Sequence, residues 1–214
     1  QRVLDLYERK WHNQPLGPHD YVLCADEKTS IQARKRRHAT PPAPGQTRRV
    51  ESDYERRGAL AYVAAWDVHR AKVFGICVPH TGIDAYHQLV DLVMGQPPYC
   101  RARRVFWITD NGSSHRGQAS AQRLAQWHLN AVQVHTPVHA SWLNQIEIYF
   151  SILQRKVLSP NEFDSLAAVE QNLVDFEGYY SNIAKPFDWT FTRQDLDELL
   201  DKLSGDSHVQ QAVA

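Results

Sequence analysis

The order of apolar segments along this chain of 214 residues limits its fold more than any other feature. Strand-like apolar runs lie at residues 21–33, 59–68, 71–79, 103–109 and 132–136. Patterns with helical spacing lie at residues 83–95, 114–129, 142–158 and 165–181. The first three runs have no helical pattern between them, which favours antiparallel pairing, whereas the last two alternate with helices, which favours parallel crossovers. The order predicts an α/β domain with a mixed five-stranded sheet flanked by helices.

The chain is long enough for one sizeable domain, and its hydrophobic content of 43% supports a real core. We expect residues 1–20 to be the remnant of an N-terminal helix and linker. We expect residues 21–185 to form the main domain and 186–214 to form a tail with a short helix near 195–203. The sequence begins at Gln1 within a helical pattern, which is typical of an excised domain.

Cysteine content and hydropathy exclude several classes of protein. The three cysteines are an odd number without a CxxC pair, which predicts reduced thiols in a cytosolic protein. No Cys/His pair has the spacing of zinc ligands. No apolar run reaches the roughly 18 residues of a membrane span, and no signal peptide is recognisable.

Charge is distributed unevenly, although the formal net charge is zero. Residues 1–116 hold 18 Lys and Arg against 12 Asp and Glu, whereas residues 117–214 hold 6 against 12. The cationic half predicts a polyanionic partner. The alternative is that the two halves neutralise each other in the folded protein.

Three acidic residues lie where a shared cation site would need them. Asp26 lies within an apolar run, Asp110 follows directly after another, and Glu147 lies in a helical pattern. A carboxylate at the end of a buried strand is costly to desolvate unless it is paired or bound to a metal ion. Carboxylates without thiolates suit Mg²⁺ or Mn²⁺ better than Zn²⁺.

Three short blocks carry a more specific signal. They are DEKTS at residues 26–30, DNGSSH at 110–115 and PVHASWLNQIE at 137–147. In this order they resemble the catalytic signatures of mariner-superfamily transposases, in their bacterial insertion-sequence branch. The 36 residues between Asp110 and Glu147 are close to the spacing that such transposases use.

The resemblance covers residues 20–180 and implies a ribonuclease-H-like fold, with which the order of the predicted strands agrees. It implies that Asp26, Asp110 and Glu147 form an Asp-Asp-Glu triad that binds two Mg²⁺ or Mn²⁺ ions and cuts and rejoins DNA. In two-ion chemistry the ions lie roughly 3.5–4 Å apart and hold the attacking and leaving oxygens. We expect Asp26 to bridge both ions and the other two carboxylates to hold one each.

The resemblance also implies the partners and the setting. The implied partner is double-stranded DNA, both as transposon ends and as target, and the protein would act as a homodimer on DNA. Insertion would occur at a TA dinucleotide. The implied location is the bacterial cytoplasm and nucleoid. Family members normally carry N-terminal helix-turn-helix modules that bind the transposon ends. None is recognisable in this sequence, so we expect little end-specific recognition.

Residues beside the triad are candidates for supporting roles. Asn111 and His115 flank Asp110, and His115 would either reach the scissile phosphate, orient a ligand or cap the following helix. Asn144 shares a helix face with Glu147 and is a candidate contact to DNA or to a metal-bound water.

Two further neighbours of the triad have a structural interpretation. Glu27 follows Asp26 on a strand, so its side chain should point to the opposite face. Trp142 should pack in the core, with base stacking as the alternative.

A long basic loop is predicted over residues 34–58, with 8 Lys and Arg against 3 Asp and Glu. The candidate contacts to the DNA backbone are Arg34, Lys35, Arg36, Arg37, Arg48 and Arg49. The alternative is a solvated, flexible connection. A second basic group, formed by Arg101, Arg103 and Arg104, lies at the far end of the strand that leads to Asp110.

Three functions remain open at this point. The first is a metal-dependent DNA strand transferase. The second is a structure-specific ribonuclease-H-like nuclease without joining activity, and the third is a domesticated relic that binds DNA or a partner without cutting. The intact triad argues against the relic.

Overall fold

The structure is a computed structural model that describes residues 2–37, 54–112, 117–137, 140–196 and 198. The chain begins with helix α1 (Arg2–Tyr7) and a small antiparallel hairpin of strands β1 (Lys10–Trp11) and β2 (Gln14–Pro15). No helix in these ranges is long and apolar enough to cross a membrane.

A five-stranded sheet forms the centre of the fold. Its strands are β3 (Asp20–Arg36), β4 (Tyr54–Asp67), β5 (Lys72–Val78), β6 (Arg104–Thr109) and β7 (Ala131–His135). They lie in the order β5-β4-β3-β6-β7. The first three strands pair antiparallel, while β6 lies parallel to both β3 and β7. The mixed five-stranded sheet predicted from the sequence is therefore confirmed, with the ribonuclease-H-like strand order.

Helices cover both faces of the sheet. They are α2 (Ile83–Met94), α3 (Gly117–Trp127), α4 (Ile146–Lys156) and α5 (Leu166–Ile183), with 3₁₀ turns at Tyr99–Arg101 and Ser141–Leu143. Alternation along β3 divides the core: Val22 and Cys24 pack in the cluster that contains α1, α4 and α5, whereas Leu23 and Ala25 pack in the cluster that contains α2 and α3. Successive side chains of a strand point to opposite faces, so both faces of β3 are buried.

The predicted helix over 142–158 is in fact two elements. A 3₁₀ turn ends at Leu143, Asn144 has extended backbone angles (φ −80°, ψ 108°), and α4 begins only at Ile146. The helical spacing of the apolar residues continues through this break, which is why periodicity alone did not reveal it.

The predicted basic loop over 34–58 is wrong at both of its described ends. Residues 34–36 belong to β3, and residues 54–58 belong to β4. Arg34 pairs with Arg56, and Lys35 pairs with Glu55. The two strands thus continue beyond the sheet as an antiparallel ribbon.

Both ends of the described chain contribute to the main core. Val3, Leu4 and Leu6 of α1 are buried, and Phe187, after α5, stacks on the buried Trp66 with 4.5 Å between ring centroids. Of the predicted terminal helix near 195–203, the structure describes a helical start at 193–196, and most of the remainder lies outside the described residues.

Candidate active site

The register between the parallel strands β3 and β6 places Asp26 and Asp110 side by side at the same end of the sheet. Cys24 of β3 is the partner of Ile108 of the parallel strand β6, and each aspartate lies two residues further along its own chain. Glu147 lies in the first turn of α4, on the β3 face that also carries the side chain of Cys24. The carboxyl ends of parallel strands are where sites form in open α/β sheets. The three acids are therefore collected at one end of the sheet.

The electrostatics of Asp26 reflect this crowding. Asp26 is only 9% exposed, and this burial raises the pKa of its carboxyl to about 8. The backbone N–H of Glu27 donates to Asp26 Oδ1 at 2.7 Å and opposes the rise in pKa, while the charges of Asp110, Glu27 and Glu147 add to it. Like charges held together in a partly dry site favour the neutral acid unless a cation joins them.

The pKa of Glu147 is also raised, first by burial and then by the charge of Asp110, while Lys28 lowers it. Lys28 follows Asp26 by two residues on β3, so both side chains leave the same face of the strand. Sequence reasoning missed Lys28. The period-two alternation that assigned Glu27 to the opposite face would have placed Lys28 beside Asp26.

A tight turn fixes Asp110. The backbone N–H of Gly112 donates to Asp110 Oδ1 at 2.7 Å, and a Cβ at position 112 would lie 2.8 Å from the same oxygen. Asn111 donates through Nδ2 to the carbonyl of Thr136 at 2.8 Å, and Thr136 N–H donates to the carbonyl of Thr109 at 2.9 Å. Asn111 thus ties the turn to the end of β7, and Gly112 is the residue that lets the carboxylate fold back over the turn.

The predicted contact of Asn144 with DNA is wrong, whereas the alternative, a contact with a metal-bound water, stays a prediction. Its side chain is fully buried and donates through Nδ2 to the carbonyl of Ala25 at 2.9 Å. The prediction that Trp142 packs in the core is also wrong, because this residue is 44% exposed and makes an edge-to-face contact with Phe191. Glu27, by contrast, is the register partner of Val63, which packs in the cluster of α2 and α3, so it lies on the opposite face from Asp26, as the alternation predicted. His115 lies outside the described residues.

The donor set at this end of the sheet fits a hard divalent cation, since all three groups offer carboxylate oxygens. A bound cation would also offset the repulsion between the Asp26 carboxylate and its acidic neighbours. Among the described residues, no three His, Cys, Asp or Glu side chains are arranged closely enough to form a ready metal-binding group.

The basic ribbon of β3 and β4 begins at the same end of the sheet, beyond Asp26. Arg34 stacks on the ring of Tyr54 at 4.5 Å, and Lys35 forms an ion pair with Asp164 at 2.6 Å. Gly58 has φ +101°, where a Cβ would lie 2.9 Å from Leu166 Cδ1 of α5, so the ribbon is seated closely against that helix. The side chain of Arg36, together with Arg48 and Arg49, lies outside what the structure describes.

The second basic group has a structural role at the other end of the sheet. Arg103 and Arg104 both donate to the buried carboxylate of Asp20. Burial opposes ionisation of Asp20, but the hydrogen bonds from the two arginines outweigh it and hold the pKa of that carboxyl well below its usual range. Arg101 is exposed nearby.

The strand order and an acidic site at the ends of two parallel strands define a ribonuclease-H-like domain. The family model described as DDE superfamily endonuclease matches residues 21–170. The chain therefore belongs to the DDE superfamily of endonucleases.

Several solved structures of the Mos1 mariner transposase have a similar fold. The Mos1 mariner paired-end complex with Mn aligns over 84% of this chain and 54% of that chain, with 21% identity and a TM-score of 0.59. The Mos1 strand transfer complex aligns with 20% identity and a TM-score of 0.56 over 84% and 53% of the two chains. The Mos1 catalytic domain with Raltegravir and Mn aligns with 17% identity and a TM-score of 0.55 over 84% and 80%.

This chain spans about half the length of the Mos1 chains in the two DNA assemblies. No curated protein sequence matches it significantly. Because the identities are low, the structural likeness establishes the fold, and the family match establishes membership of the superfamily.

Proposed function

We propose that this chain is the catalytic domain of a DNA transposase that cleaves DNA strands and joins them to a target. The observation that carries the proposal is the collection of Asp26, Asp110 and Glu147 at one end of a ribonuclease-H-like sheet in a DDE superfamily endonuclease. The Mos1 complexes, which are named as paired-end and strand transfer assemblies, support the same function.

In this proposal Asp26, Asp110 and Glu147 would hold Mg²⁺ or Mn²⁺, with two ions per site. The ions, when bound, would activate the attacking oxygen and stabilise the leaving oxygen of the phosphodiester. Mos1 structures with Mn and with Mg support the use of a divalent ion. The chain itself contributes the placement: Gly112 N–H fixes the orientation of Asp110, and Lys28 places a positive charge beside Glu147.

DNA is the partner in this proposal, as transposon ends and as target. The ribbon carrying Arg34, Lys35, Arg36 and Arg37, together with Arg48 and Arg49, supplies cations for backbone phosphates. A homodimer on DNA, the bacterial insertion-sequence branch and a place in the bacterial cytoplasm belong to the same proposal. The proposed catalytic domain is centred on residues 21–185, and residues of the flanking segments 1–20 and 186–214 pack in its core.

Replacement of Asp110 by Asn tests the proposal, because the amide keeps the shape of the side chain and removes the charge that would hold the ion. Supercoiled plasmid is incubated with the 214-residue chain in Mg²⁺ or Mn²⁺, and nicked product is quantified. We expect wild type to nick the plasmid only with a divalent ion and Asp110→Asn to be reduced to background. Affinity for a labelled duplex should be nearly unchanged, since phosphate contacts persist elsewhere.

The matched control is Glu27→Gln, which removes the neighbouring carboxylate from the opposite face of β3. This variant should retain nicking. Cleavage by Asp110→Asn at close to the wild-type rate would remove Asp110 from the mechanism.

Two assays distinguish a transposase from the two alternative functions, a nuclease without joining activity and a relic that does not cut. A nuclease without joining activity would nick the plasmid but would not join a duplex with a free 3′-hydroxyl to it. A relic that binds without cutting need not bind Mn²⁺, so a direct Mn²⁺ titration separates it from both enzymes.

A further inference from the structure

The start of α4, which carries Glu147, is held by side chains that lie outside the acidic triad. Within the described part of the chain, Gln145 at the N-cap of α4 makes no capping hydrogen bond through its side chain. The first N–H groups of a helix have no partner inside the helix and need one elsewhere. What supplies these partners therefore decides where the helix starts.

Cys24 is buried beside this helix start. Its side chain is fully buried in the core cluster that also contains Leu143 and Ile146, and its sulfur lies 3.2 Å from the hydroxyl of Tyr7. Cys24 lies two residues before Asp26 on β3, so its contact with Tyr7 connects the strand of one acid to the residue that holds the turn before α4.

Asn144 makes a second link between the same two elements. Its Nδ2 donates to the carbonyl of Ala25 at 2.9 Å, and its own carbonyl accepts from Glu147 N–H at 3.1 Å. One residue thus contacts the backbone directly before Asp26 and the backbone of Glu147 itself.

Tyr7 of α1 completes the arrangement. Its hydroxyl donates to the carbonyl of Leu143 at 2.6 Å and lies 3.2 Å from the sulfur of Cys24. The other side of α1 is held by the segment after α5, where Trp189 packs edge-to-face on the Tyr7 ring at 5.1 Å and Arg193 forms an ion pair with Asp5. α1 is therefore fixed between that segment and the turn that leads into α4.

We infer that Tyr7, Cys24 and Asn144 are positioning residues that set Glu147 against Asp26, and that α1 is part of the catalytic unit. The inference rests on the proposed function. Without Tyr7, the 3₁₀ turn at Ser141–Leu143 loses its anchor to α1, and the start of α4 can shift relative to β3. A shift of this kind misplaces the Glu147 carboxylate without unfolding the domain.

Replacement of Tyr7 by Phe tests the inference, because it removes one hydroxyl and keeps the ring against Trp189. The matched control is Tyr99→Phe, which removes another buried hydroxyl. Tyr99 donates to Asp67 Oδ2 at 2.7 Å, near the end of the sheet opposite the acids. Three properties are measured for each variant: the melting temperature, the dissociation constant of Mn²⁺ by direct titration, and the rate of plasmid nicking across Mn²⁺ concentrations.

We expect Tyr7→Phe to weaken Mn²⁺ binding or slow nicking by about 10-fold, the lower end of what losing an outer-shell partner of a metal ligand costs. Tyr99→Phe should lower the melting temperature at least as much and leave Mn²⁺ affinity and nicking close to wild type. A purely structural role for Tyr7 would make the two variants alike in all three measurements, and that result would overturn the inference.

The outcome for wild type separates this inference from the proposed function. If wild type neither binds Mn²⁺ nor nicks DNA, the proposed function fails and the inference fails with it. If wild type does both and Tyr7→Phe matches Tyr99→Phe, only the inference fails. Asn144→Ala is a second variant, and a loss of Mn²⁺ affinity that exceeds its loss of stability supports the same assignment.

Discussion

Gly112 decides where the Asp110 carboxylate points. A methyl group at this position would lie 2.8 Å from Oδ1, and that oxygen is already held at 2.7 Å by the backbone N–H of the same glycine. We predict that Gly112→Ala forces the carboxylate to turn away and lowers the nicking rate by about 10- to 100-fold, comparable to other losses of ligand positioning. Thermal unfolding should change little, because the residue lies outside the core.

The control for this substitution is Gly178→Ala on α5, where nothing lies within 4 Å of the added Cβ. An alanine inside a helix should raise stability by roughly 0.5–1 kcal/mol and leave nicking unchanged. Equal nicking by Gly112→Ala and wild type would mean that the orientation of Asp110 seen here is not the active one.

At the scale of single residues, the sequence predicted the acids better than their supports. Asp26 and Asp110 stand out because a charge next to a buried apolar run needs a reason. Tyr7 does not stand out, since its hydroxyl bonds to a carbonyl 136 residues away along the chain. Cys24 was correctly placed in the core, but nothing in its spacing indicated that its sulfur would lie 3.2 Å from the hydroxyl of Tyr7.

Among the elements, the ribbon of β3 and β4 differs most from expectation. The sequence predicted all five strands of the sheet from their apolar runs, but these runs end where the ribbon leaves the core. Beyond that point Arg34 and Arg56 flank the ring of Tyr54, at 4.5 and 6.0 Å from its centroid. Cation–π stacking replaces burial there, and hydrophobic periodicity cannot detect it.

We predict that this ribbon binds the DNA backbone without reading sequence. Neutralising two of its exposed cations with Lys35→Gln and Arg37→Gln should weaken binding to two unrelated duplexes alike. It should also flatten the dependence of log affinity on log salt by about 0.9 for each phosphate that the variant no longer neutralises. Fluorescence anisotropy over a range of salt concentrations measures both effects.

The control is Lys10→Gln with Arg101→Gln, which removes two exposed cations outside the ribbon. This pair should leave the salt dependence close to that of wild type. An unchanged slope in the ribbon variant would mean a solvated connection, and a loss of affinity confined to one duplex would mean a sequence-specific reader.

For the whole molecule, both faces of the sheet bury ionisable groups, but the acidic triad lies on only one of them. The face under α2 and α3 is a hydrophobic cluster that includes Leu89 and Trp107, and it contains the buried hydrogen bond from Tyr99 to Asp67. The face under α1, α4 and α5 contains polar groups as well as apolar ones, among them the hydroxyl of Tyr62, which donates to Glu177 Oε2 at 2.7 Å. The acidic triad lies at the end of this second face. The part of the protein that positions catalytic groups therefore also carries buried ionisable groups, and its stability should depend on pH.

Glu177 makes this dependence testable. Burial raises the pKa of its carboxyl from 4.5 to about 7, against hydrogen bonds from Tyr62 and the backbone of Gly75 that lower it. Between these two pKa values the folded state binds more protons than the unfolded state, so the free energy of unfolding must fall as pH rises through that window. We predict that the free energy of unfolding of Glu177→Gln, which stays neutral and keeps an acceptor for Tyr62, gains about 1–3 kcal/mol relative to wild type between pH 5 and pH 8.

Chemical denaturation at the two pH values measures this difference in the free energy of unfolding, and histidines that titrate in both proteins cancel from it. Glu170→Gln, an exposed carboxylate on the same helix, is the control. A constant difference between Glu177→Gln and wild type across this range would mean that Glu177 is ionised in the folded protein throughout, and that α5 packs over a charge.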